Sequence, residues 1–338
     1  MESNPMRKVA LERWLREQCK IQNPVLHPLT SDASFRRYYR LYDADYSWIA
    51  MDAPSPLESC PSFIALAKTL RNVGVNAPLI YHHDLCQGFL LLSDFGDLTY
   101  LKALNSANSA VLYDKALQAL LIMQKIKTVE NLTLAPFGLE LMQQEWLWHK
   151  EWFAEKLLAL DKKVLTLSVD HCFTQIAELA TMQPQVFMHR DFHAGNLMWL
   201  PKQEVGVLDF QDAFIGPVTY DLVSLLRDCY IDWPDYLVTQ WVQYFYDQLI
   251  LNRTLTDVSF DVFYRWFDWM GIERHLKALF TFARKSIRDD QHSYLNFIPR
   301  TLNYLVSTTA KYNELLPLHD YAKTAQAAFN ERTSVCAQ

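Results

Sequence analysis

The fold is decided by the stretch Phe187-Met-His-Arg-Asp-Phe-His-Ala-Gly-Asn-Leu-Met-Trp199 and by Val205-Gly-Val-Leu-Asp-Phe-Gln-Asp212, which follows it closely. An apolar run leads into the His-Arg-Asp triplet at 189–191, and Asn196 comes after four intervening residues. A short apolar segment, a polar turn and a second apolar segment then end at Asp209. The pattern predicts a catalytic loop followed by a β-hairpin with an acidic residue at its exit.

The spacing of these polar residues suits phosphoryl transfer. Asp191 can accept a proton from an attacking hydroxyl or orient it, while Asn196 and Asp209 can hold Mg²⁺ against the phosphates of ATP. Asparagine and aspartate suit Mg²⁺ because this hard cation prefers oxygen ligands. The His-Arg-Asp-x-x-x-x-Asn pattern of kinases is matched at each fixed position, whereas Gln211 stands where the Asp-Phe-Gly motif has its glycine.

Two other interpretations of the stretch stay open. It could be a polar turn between two core strands, with no chemistry attached. It could also belong to a metallohydrolase with His189, Asp191 and His193 as ligands, but such a site needs further ligands elsewhere. His275 and His292 are available, and no spacing supports either of them.

Length and composition limit the function classes. The 338 residues are enough for two lobes, and 50% of them are hydrophobic. The net charge is −6 and no basic run occurs, so we expect no nucleic-acid partner. Only 8 glycines are present, which argues against a glycine-rich phosphate loop. An anionic nucleotide would then be bound through Mg²⁺ and a few local donors.

Cysteine usage and hydropathy indicate a cytoplasmic protein. The six cysteines are scattered without a Cys-x-x-Cys pair, which favours reduced thiols over a zinc site or disulfides. No apolar run approaches the ~20 residues that span a bilayer, and the N-terminus lacks a signal-peptide pattern. We expect neither a membrane nor an obligate protein partner.

The first part of the chain predicts a sheet that binds nucleotide. A helix is expected over 6–20 and three strands over 25–52. Between the first two strands, the polar turn Ser31-Asp32-Ala33-Ser34 could cover phosphates, although an ordinary hairpin turn is the simpler interpretation. Met51 stands where kinases carry a phosphate-pairing lysine. We hypothesise that an arginine of the next strand, Arg36, Arg37 or Arg40, supplies the missing charge.

A helix over 58–72 and two strands, 78–82 and 88–94, complete this part. Glu58 could be the counterpart of the kinase helix-C acid or simply a carboxylate at a helix start. Backbone groups between Leu92 and Asp94 could pair with adenine where the strand becomes a hinge, or the segment could be a plain loop.

The remainder is predicted to be mainly helical. A long helix is expected over Leu139–Leu158. Its tryptophans are expected to lie in the hydrophobic core rather than to form a platform that stacks on a sugar ring. Gly216-Pro217 predicts a turn, and Thr219 is a suitable N-cap for the next helix. Asp221 could cap that helix or brace the catalytic loop.

These motifs resemble those of the aminoglycoside phosphotransferase-like, or phosphotransferase enzyme, family. The segments Met188-His-Arg-Asp-Phe-His-Ala-Gly-Asn-Leu197 and Val207-Leu-Asp-Phe-Gln-Asp212 carry the resemblance. It implies an α+β, protein-kinase-like two-lobed fold. An N-terminal antiparallel sheet lobe would span 1–94, and a mainly helical lobe with the catalytic loop and acceptor site would span 95–338.

Within this family the chain is similar to bacterial anomeric kinases that act on N-acetylmuramate and N-acetylglucosamine in peptidoglycan recycling. The segments Ser31–Arg40, Gly88–Gly96, Tyr220–Pro234 and Met270–Lys277 carry this similarity, and Met51 agrees with it. The resemblance implies ATP-dependent phosphorylation of the C1 hydroxyl to an α-1-phosphate, with Asp191 as base or orienting group and Mg²⁺ on Asn196 and Asp209.

The residues that would contact the sugar are predicted from their polar character and their place in the chain. Polar residues near the loop or on later helices are the candidates: Asp191, Asp212, Arg227, Asp228, Arg274, His275 and Arg284. A cation would be needed for the lactyl carboxylate of N-acetylmuramate. Alternatives are a kinase of an aminoglycoside, choline or homoserine hydroxyl, and a non-catalytic pseudokinase scaffold, which only Met51 favours.

Overall fold

The computed structural model describes residues 5–29, 36–43, 46–54 and 59–336. The chain divides into two compact units. The first comprises Met1–Ala103, Thr128–Thr133 and Asn196–Gln211, and the second comprises Leu104–Lys127, Leu134–Gly195 and Asp212–Gln338. The division into lobes at residue 94 stays a prediction.

The described residues contain strands and helices in both units. The strands are β1 (His27–Leu29), β2 (Arg37–Asp43), β3 (Tyr46–Asp52), β4 (Ile80–Asp84), β5 (Phe89–Ser93), β6 (Gln185–Met188), β7 (Leu197–Trp199), β8 (Val205–Val207) and β9 (Phe214–Pro217). The helices are α1 (Pro5–Glu17), α2 (Cys60–Asn72), α3 (Tyr100–Ala103), α4 (Ser109–Met123), α5 (Leu139–Trp148), α6 (Leu167–Met182), α7 (Tyr220–Leu226), α8 (Asp235–Leu251), α9 (Phe260–Arg288), α10 (Ile298–Thr309) and α11 (Leu316–Cys336).

The first unit is built on an antiparallel sheet with the strand order β1-β2-β3-β5-β4. The predicted strands are therefore confirmed. Helix α1 packs Leu11, Trp14 and Leu15 into a core with sheet residues such as Tyr39. Val9, another apolar residue of this helix, is 61% exposed. The apolar face of α1 is therefore narrower than its sequence suggested.

The predicted hairpin after the catalytic loop is confirmed and belongs to the first unit. Strands β7 and β8 pair antiparallel, with Leu197 opposite Val207. The backbone N–H of Val207 donates to the carbonyl of Asn76 over 2.8 Å. At Gly206 an added Cβ would lie 2.8 Å from the ring of Phe95, so a larger residue would displace that ring.

The second unit contains helices α4 to α11 and a two-stranded sheet formed by β6 and β9. The long helix α9 packs against several others, among them α6, α7 and α10. In the described part of the chain, no helix has the length and apolar composition needed to cross a membrane.

One local prediction for this unit is wrong, and the structure refines a second one. The predicted turn at Gly216-Pro217 is the end of β9, which pairs with β6, and Gly216 lies opposite Val186. A Cβ at Gly216 would lie 2.5 Å from Sδ of Met188, so glycine serves close strand packing there. The predicted helix over Leu139–Leu158 changes after α5 into a π-helical segment, His149–Leu157. The buried ring of His149, hydrogen-bonded to the Leu276 carbonyl and to Tyr321, lies where this segment begins.

Candidate active site

The start of the catalytic loop is held by one buried carboxylate. Oδ2 of Asp221 accepts the backbone N–H of His189 over 2.6 Å, and Oδ1 accepts that of Arg190 over 2.9 Å. Arg190 has φ +80°, in the left-handed region that non-glycine residues rarely occupy. The two hydrogen bonds offset the cost of this conformation. Of the two roles predicted for Asp221, bracing of the loop is confirmed.

A second buried carboxylate holds the far end of the loop. Oδ2 of Asp228 accepts the backbone N–H of Ala194 over 2.9 Å, and Oδ1 accepts that of Tyr230 over 2.8 Å. Burial raises the pKa of Asp228 to about 6, although these two N–H groups lower it in part. The loop conformation therefore depends on side chains that lie outside the loop.

Asp191 stands between these braces, next to two cations of α9. Its Oδ1 lies 3.4 Å from Nζ of Lys277 and 3.8 Å from Nη2 of Arg274. Burial raises the pKa of Asp191, but Lys277 and then Arg274 lower it more, so the pKa lies well below its ordinary value. The side chain remains 36% exposed. Asp191 is thus an accessible, ionised hydrogen-bond acceptor and a weak base.

A small open cavity borders Asp191 within the second unit. Its wall combines charged, polar and aromatic side chains, among them His193, Asp228, Tyr230, Arg274, Lys277 and Phe282. Burial lowers the pKa of His193 to about 3, so its imidazole is neutral at pH 7. A few convergent polar groups with aromatic walls are typical of sites for small polar ligands.

In the first unit, the hairpin brings Asn196 and Asp209 together. Nδ2 of Asn196 lies 3.4 Å from Oδ2 of Asp209, and the Leu208 N–H donates to the Asn196 carbonyl over 3.0 Å. Nε2 of Gln211 donates to Oδ1 of Asp209 over 2.7 Å. This arrangement presents one carboxylate and one amide side chain at the base of the hairpin.

These residues fit a hard divalent cation. Their oxygens are the donors that Mg²⁺ prefers, and Mg²⁺ usually takes only one or two protein ligands with the rest from phosphates and water. Oε1 of Gln211 is buried without a hydrogen-bond partner in the described structure, so a further donor or cation beside Asp209 would satisfy it.

The alternative metal site is not supported. Among residues 5–29, 36–43, 46–54 and 59–336, no group of three or more His, Cys, Asp or Glu side chains is placed to hold a metal ion. His189 is fully buried, and its Nδ1 accepts the backbone N–H of Asp191 over 3.3 Å. The His189, Asp191 and His193 set of a metallohydrolase is therefore not assembled.

Comparison with known proteins agrees with this geometry. A model described as the phosphotransferase enzyme family matches residues 25–252. The chain belongs to the phosphotransferase enzyme family. Membership was predicted from the catalytic-loop motif, and the prediction is confirmed.

Relatives in the phosphotransferase enzyme family cover most of the chain. A Pseudomonas aeruginosa protein named N-acetylmuramate/N-acetylglucosamine kinase is 38% identical over 297 residues, covering 87% of this chain and 86% of that protein. A Pseudomonas putida protein of the same name is 35% identical over 341 residues, covering 97% of this chain and 99% of that protein.

A solved structure shows the same fold. Ethanolamine kinase from Plasmodium vivax has a TM-score of 0.65 with 13% identity, and the match covers 90% of each chain. The predicted α+β, protein-kinase-like fold is confirmed. At this level of identity the likeness concerns the fold alone.

Several predicted nucleotide contacts of this phosphotransferase cannot be placed. Ser31, Asp32, Ala33 and Ser34 lie outside the described residues, and so does Glu58. Leu92, on β5, is paired with Ile49 of β3 and Ile80 of β4. Its backbone therefore lies within the sheet, and an adenine contact at this strand would fall to the residues after Ser93.

The arginines proposed to replace the kinase lysine differ in their surroundings. Arg40 is buried, and its guanidinium forms ion pairs with Asp94 and Asp97. Its Nε lies 2.6 Å from Oδ2 of Asp94, and its Nη1 lies 2.7 Å from Oδ1 of Asp97. Arg36 is also buried, whereas Arg37 is half-buried. Arg40 therefore joins β2 to the segment that follows β5, and a phosphate contact by Arg36 or Arg37 stays a prediction.

The predicted acceptor contacts separate into two groups. Arg274 borders the cavity beside Asp191. Arg227 instead donates to Oδ1 of Asp268 over 2.5 Å, and Nε2 of buried His275 lies 3.1 Å from the Arg227 carbonyl; neither lines the cavity. Asp212 is exposed and also absent from the cavity wall.

Sequence reasoning missed Lys277. It lies three residues after Arg274 on the same helix, and residues at this spacing share a helix face. Tyr220, whose hydroxyl lies 3.2 Å from Nζ of Lys277, was also missed as a site residue. The i, i+3 pair of cations was the signal that could have found Lys277.

Proposed function

We propose that the protein is an ATP-dependent kinase that phosphorylates the anomeric C1 hydroxyl of N-acetylmuramate and N-acetylglucosamine. The observation that carries this proposal is the shared name of relatives that match nearly the whole chain. The cavity beside Asp191 supports it, because its wall offers hydrogen-bonding groups together with the aromatic rings of Tyr230 and Phe282.

Asp191 would accept a hydrogen bond from the C1 hydroxyl and align it for attack. Its lowered pKa makes it a weak base, so orientation contributes more than early removal of the proton. An anomeric hydroxyl is more acidic than an ordinary alcohol, which lowers the demand on the base. Positioning and charge neutralisation would then supply most of the acceleration.

Asn196 and Asp209 would hold Mg²⁺, and Gln211 would fix the orientation of the Asp209 carboxylate. Bound Mg²⁺ would neutralise negative charge on the ATP phosphates. We infer that the turn Ser31-Asp32-Ala33-Ser34 and one of Arg36 and Arg37 contact the phosphates. Backbone groups after Ser93, at Asp94, would contact adenine.

The product would be a sugar α-1-phosphate formed in the cytoplasm during peptidoglycan recycling. An N-terminal nucleotide lobe, 1–94, and a C-terminal acceptor lobe, 95–338, would divide the task. No protein partner is needed for this reaction, since donor and acceptor are both small molecules.

A screen of ATP consumption over N-acetylhexosamines, choline, homoserine and aminoglycosides tests the proposal. We expect turnover with N-acetylmuramate and N-acetylglucosamine, and phosphorus NMR of the product should place the phosphate on C1. Asp191→Asn in the same screen excludes a contaminating kinase. A 6-phosphate product would contradict the anomeric assignment, and turnover of choline or an aminoglycoside alone would contradict the acceptor class.

A further inference from the structure

Two cations of α9 face a single carboxylate at the border of the cavity. Arg274 and Lys277 lie one helical turn apart, and each side chain is only 11% exposed. Their nearest nitrogens lie 3.8 Å and 3.4 Å from Oδ1 of Asp191. Charge-assisted N–H···O bonds are about 2.7–2.9 Å long. Asp191 therefore saturates neither cation.

Both cations are also hydrogen-bonded to residues of α7. Nε of Arg274 donates to Oγ of Ser224 over 2.6 Å, and Nζ of Lys277 lies 3.2 Å from the hydroxyl of Tyr220. Ser224 and Tyr220 are buried residues of α7. A guanidinium has five N–H donors and an ammonium has three, so both groups keep donors for the cavity that they line. Their positions are fixed before any ligand arrives.

In the described part of the chain, no carboxyl group other than Asp191 makes a direct ion pair with Arg274 or Lys277. Oε1 of Glu145 accepts from Arg190 over 3.1 Å. Burial and the adjacent Glu145 raise the pKa of Glu273 well above its ordinary value, which favours the neutral form of Glu273. Asp228 lines the cavity, but its two oxygens accept backbone N–H groups. Two buried cations that share one carboxylate would gain from a second anion.

The chemistry of the proposed acceptors indicates which anion fits. Asp191 is placed to meet an acceptor hydroxyl, so the cations beside it would meet another group of the same molecule. N-acetylmuramate carries a carboxylate on its lactyl ether, whereas N-acetylglucosamine carries none. We propose that Arg274 and Lys277 form a carboxylate subsite that binds the lactyl group of N-acetylmuramate and favours acidic over neutral amino sugars. This inference rests on the proposed function.

The test compares kcat/KM for N-acetylmuramate, its methyl ester and N-acetylglucosamine in the full-length enzyme. Arg274→Gln and Lys277→Met remove one charge each, and Lys277→Arg keeps the charge. Arg288→Gln, at an exposed position in the last turn of α9, is the matched control. The ratio of kcat/KM values for two sugars, measured on one preparation, is independent of the fraction of folded enzyme.

We expect wild-type enzyme to prefer the free acid over its ester. The ratio of acid to ester should fall about tenfold to a hundredfold in Arg274→Gln and Lys277→Met, the loss expected for one hydrogen bond to a charged group. It should change little in Lys277→Arg and Arg288→Gln. An equal loss with all three sugars would overturn the subsite and assign the cations to Asp191 or to the transferred phosphoryl group. Wild-type enzyme that is inactive on every amino sugar would instead refute the proposed function, and the subsite with it.

Discussion

The carboxylate of Asp221 accepts a hydrogen bond from the backbone N–H of Arg190, whose backbone has a left-handed conformation that arginine rarely adopts. In Asp221→Asn the side chain keeps one acceptor oxygen, although the backbone N–H groups of His189 and Arg190 each need an acceptor. We expect the free energy of unfolding to fall by about 1–3 kcal/mol and kcat to fall with it. Thermal unfolding and steady-state rates measure the two effects. The exposed Asp247→Asn on α8 is the control, and a variant indistinguishable from it would show that the brace is dispensable.

Asp191→Asn should lower kcat by about 10²–10⁴, the range for loss of a general acid–base group. Because Asp191 contacts cations of the acceptor cavity, nucleotide affinity should be almost unchanged. Calorimetric titration with a non-hydrolysable ATP analogue measures that affinity. Retention of more than half of the wild-type kcat would remove Asp191 from the chemistry.

Asp209 and Gln211 should set the requirement for Mg²⁺. Asp209→Asn removes the carboxylate of the donor set, and Gln211→Leu removes the bond that orients it. The half-saturating Mg²⁺ concentration should rise about tenfold to a hundredfold for Gln211→Leu, as for other outer-shell partners, and further for Asp209→Asn. Removal of divalent cations with a chelator should abolish turnover.

The matched control for the Mg²⁺ titration is Glu204→Gln, which changes an exposed carboxyl of the same hairpin. It should leave the Mg²⁺ requirement unchanged. A normal Mg²⁺ requirement in Asp209→Asn would contradict the assignment.

Asp228 should contribute a pH-dependent term to stability. Its pKa is about 6 in the folded protein, above the ordinary value of 3.8, so the folded state binds more protons between these values. The contribution of this group to the free energy of unfolding therefore falls by at most about 3 kcal/mol as pH rises from about 4 to 6. Above that pH the contribution is constant.

The difference in unfolding free energy between wild type and Asp228→Asn isolates this term. Chemical denaturation at several pH values from 4 to 7 measures it. We expect wild type to lose stability relative to the variant as pH rises. A difference that stays constant over this range would show that the carboxyl has an ordinary pKa.

The arginines of the first sheet should separate by role. Arg40→Met leaves the buried carboxylate of Asp94 without its cationic partner, so stability should fall by about 3 kcal/mol or more. Arg36→Met or Arg37→Met should raise the KM for ATP. Arg16→Met, on the exposed side of α1, is the control for a lost surface charge. Unchanged KM values in both Arg36→Met and Arg37→Met would eliminate the phosphate-binding arginine.

Local patterns predicted much of this fold. The alternation and turn residues around β7 and β8 defined the hairpin, because strand pairing across a short polar turn is encoded nearby. The spacing of Asp191, Asn196 and Asp209 identified the family. Asp221 was predicted as a cap or a brace, and only the structure could choose, since the backbone groups it accepts lie about thirty residues away.

Long-range packing explains what sequence reasoning missed. Gly216 looked like a turn residue because its pairing with β6 crosses almost thirty residues. Most positions in the central part of α9 are buried, so the helix shows little amphipathic pattern and periodicity did not distinguish His275 from Lys277. His275 lies in the core against Tyr304, whereas Lys277 lines the cavity.

The way in which the catalytic loop is fastened bears on enzyme engineering. Asp221 and Asp228 accept hydrogen bonds from backbone N–H groups, which every amino acid except proline possesses. As far as these attachments are concerned, positions 189, 190 and 194 can be varied in a library while the loop keeps its conformation, provided that proline is left out at all three and β-branched residues are left out at 190, where φ is +80°.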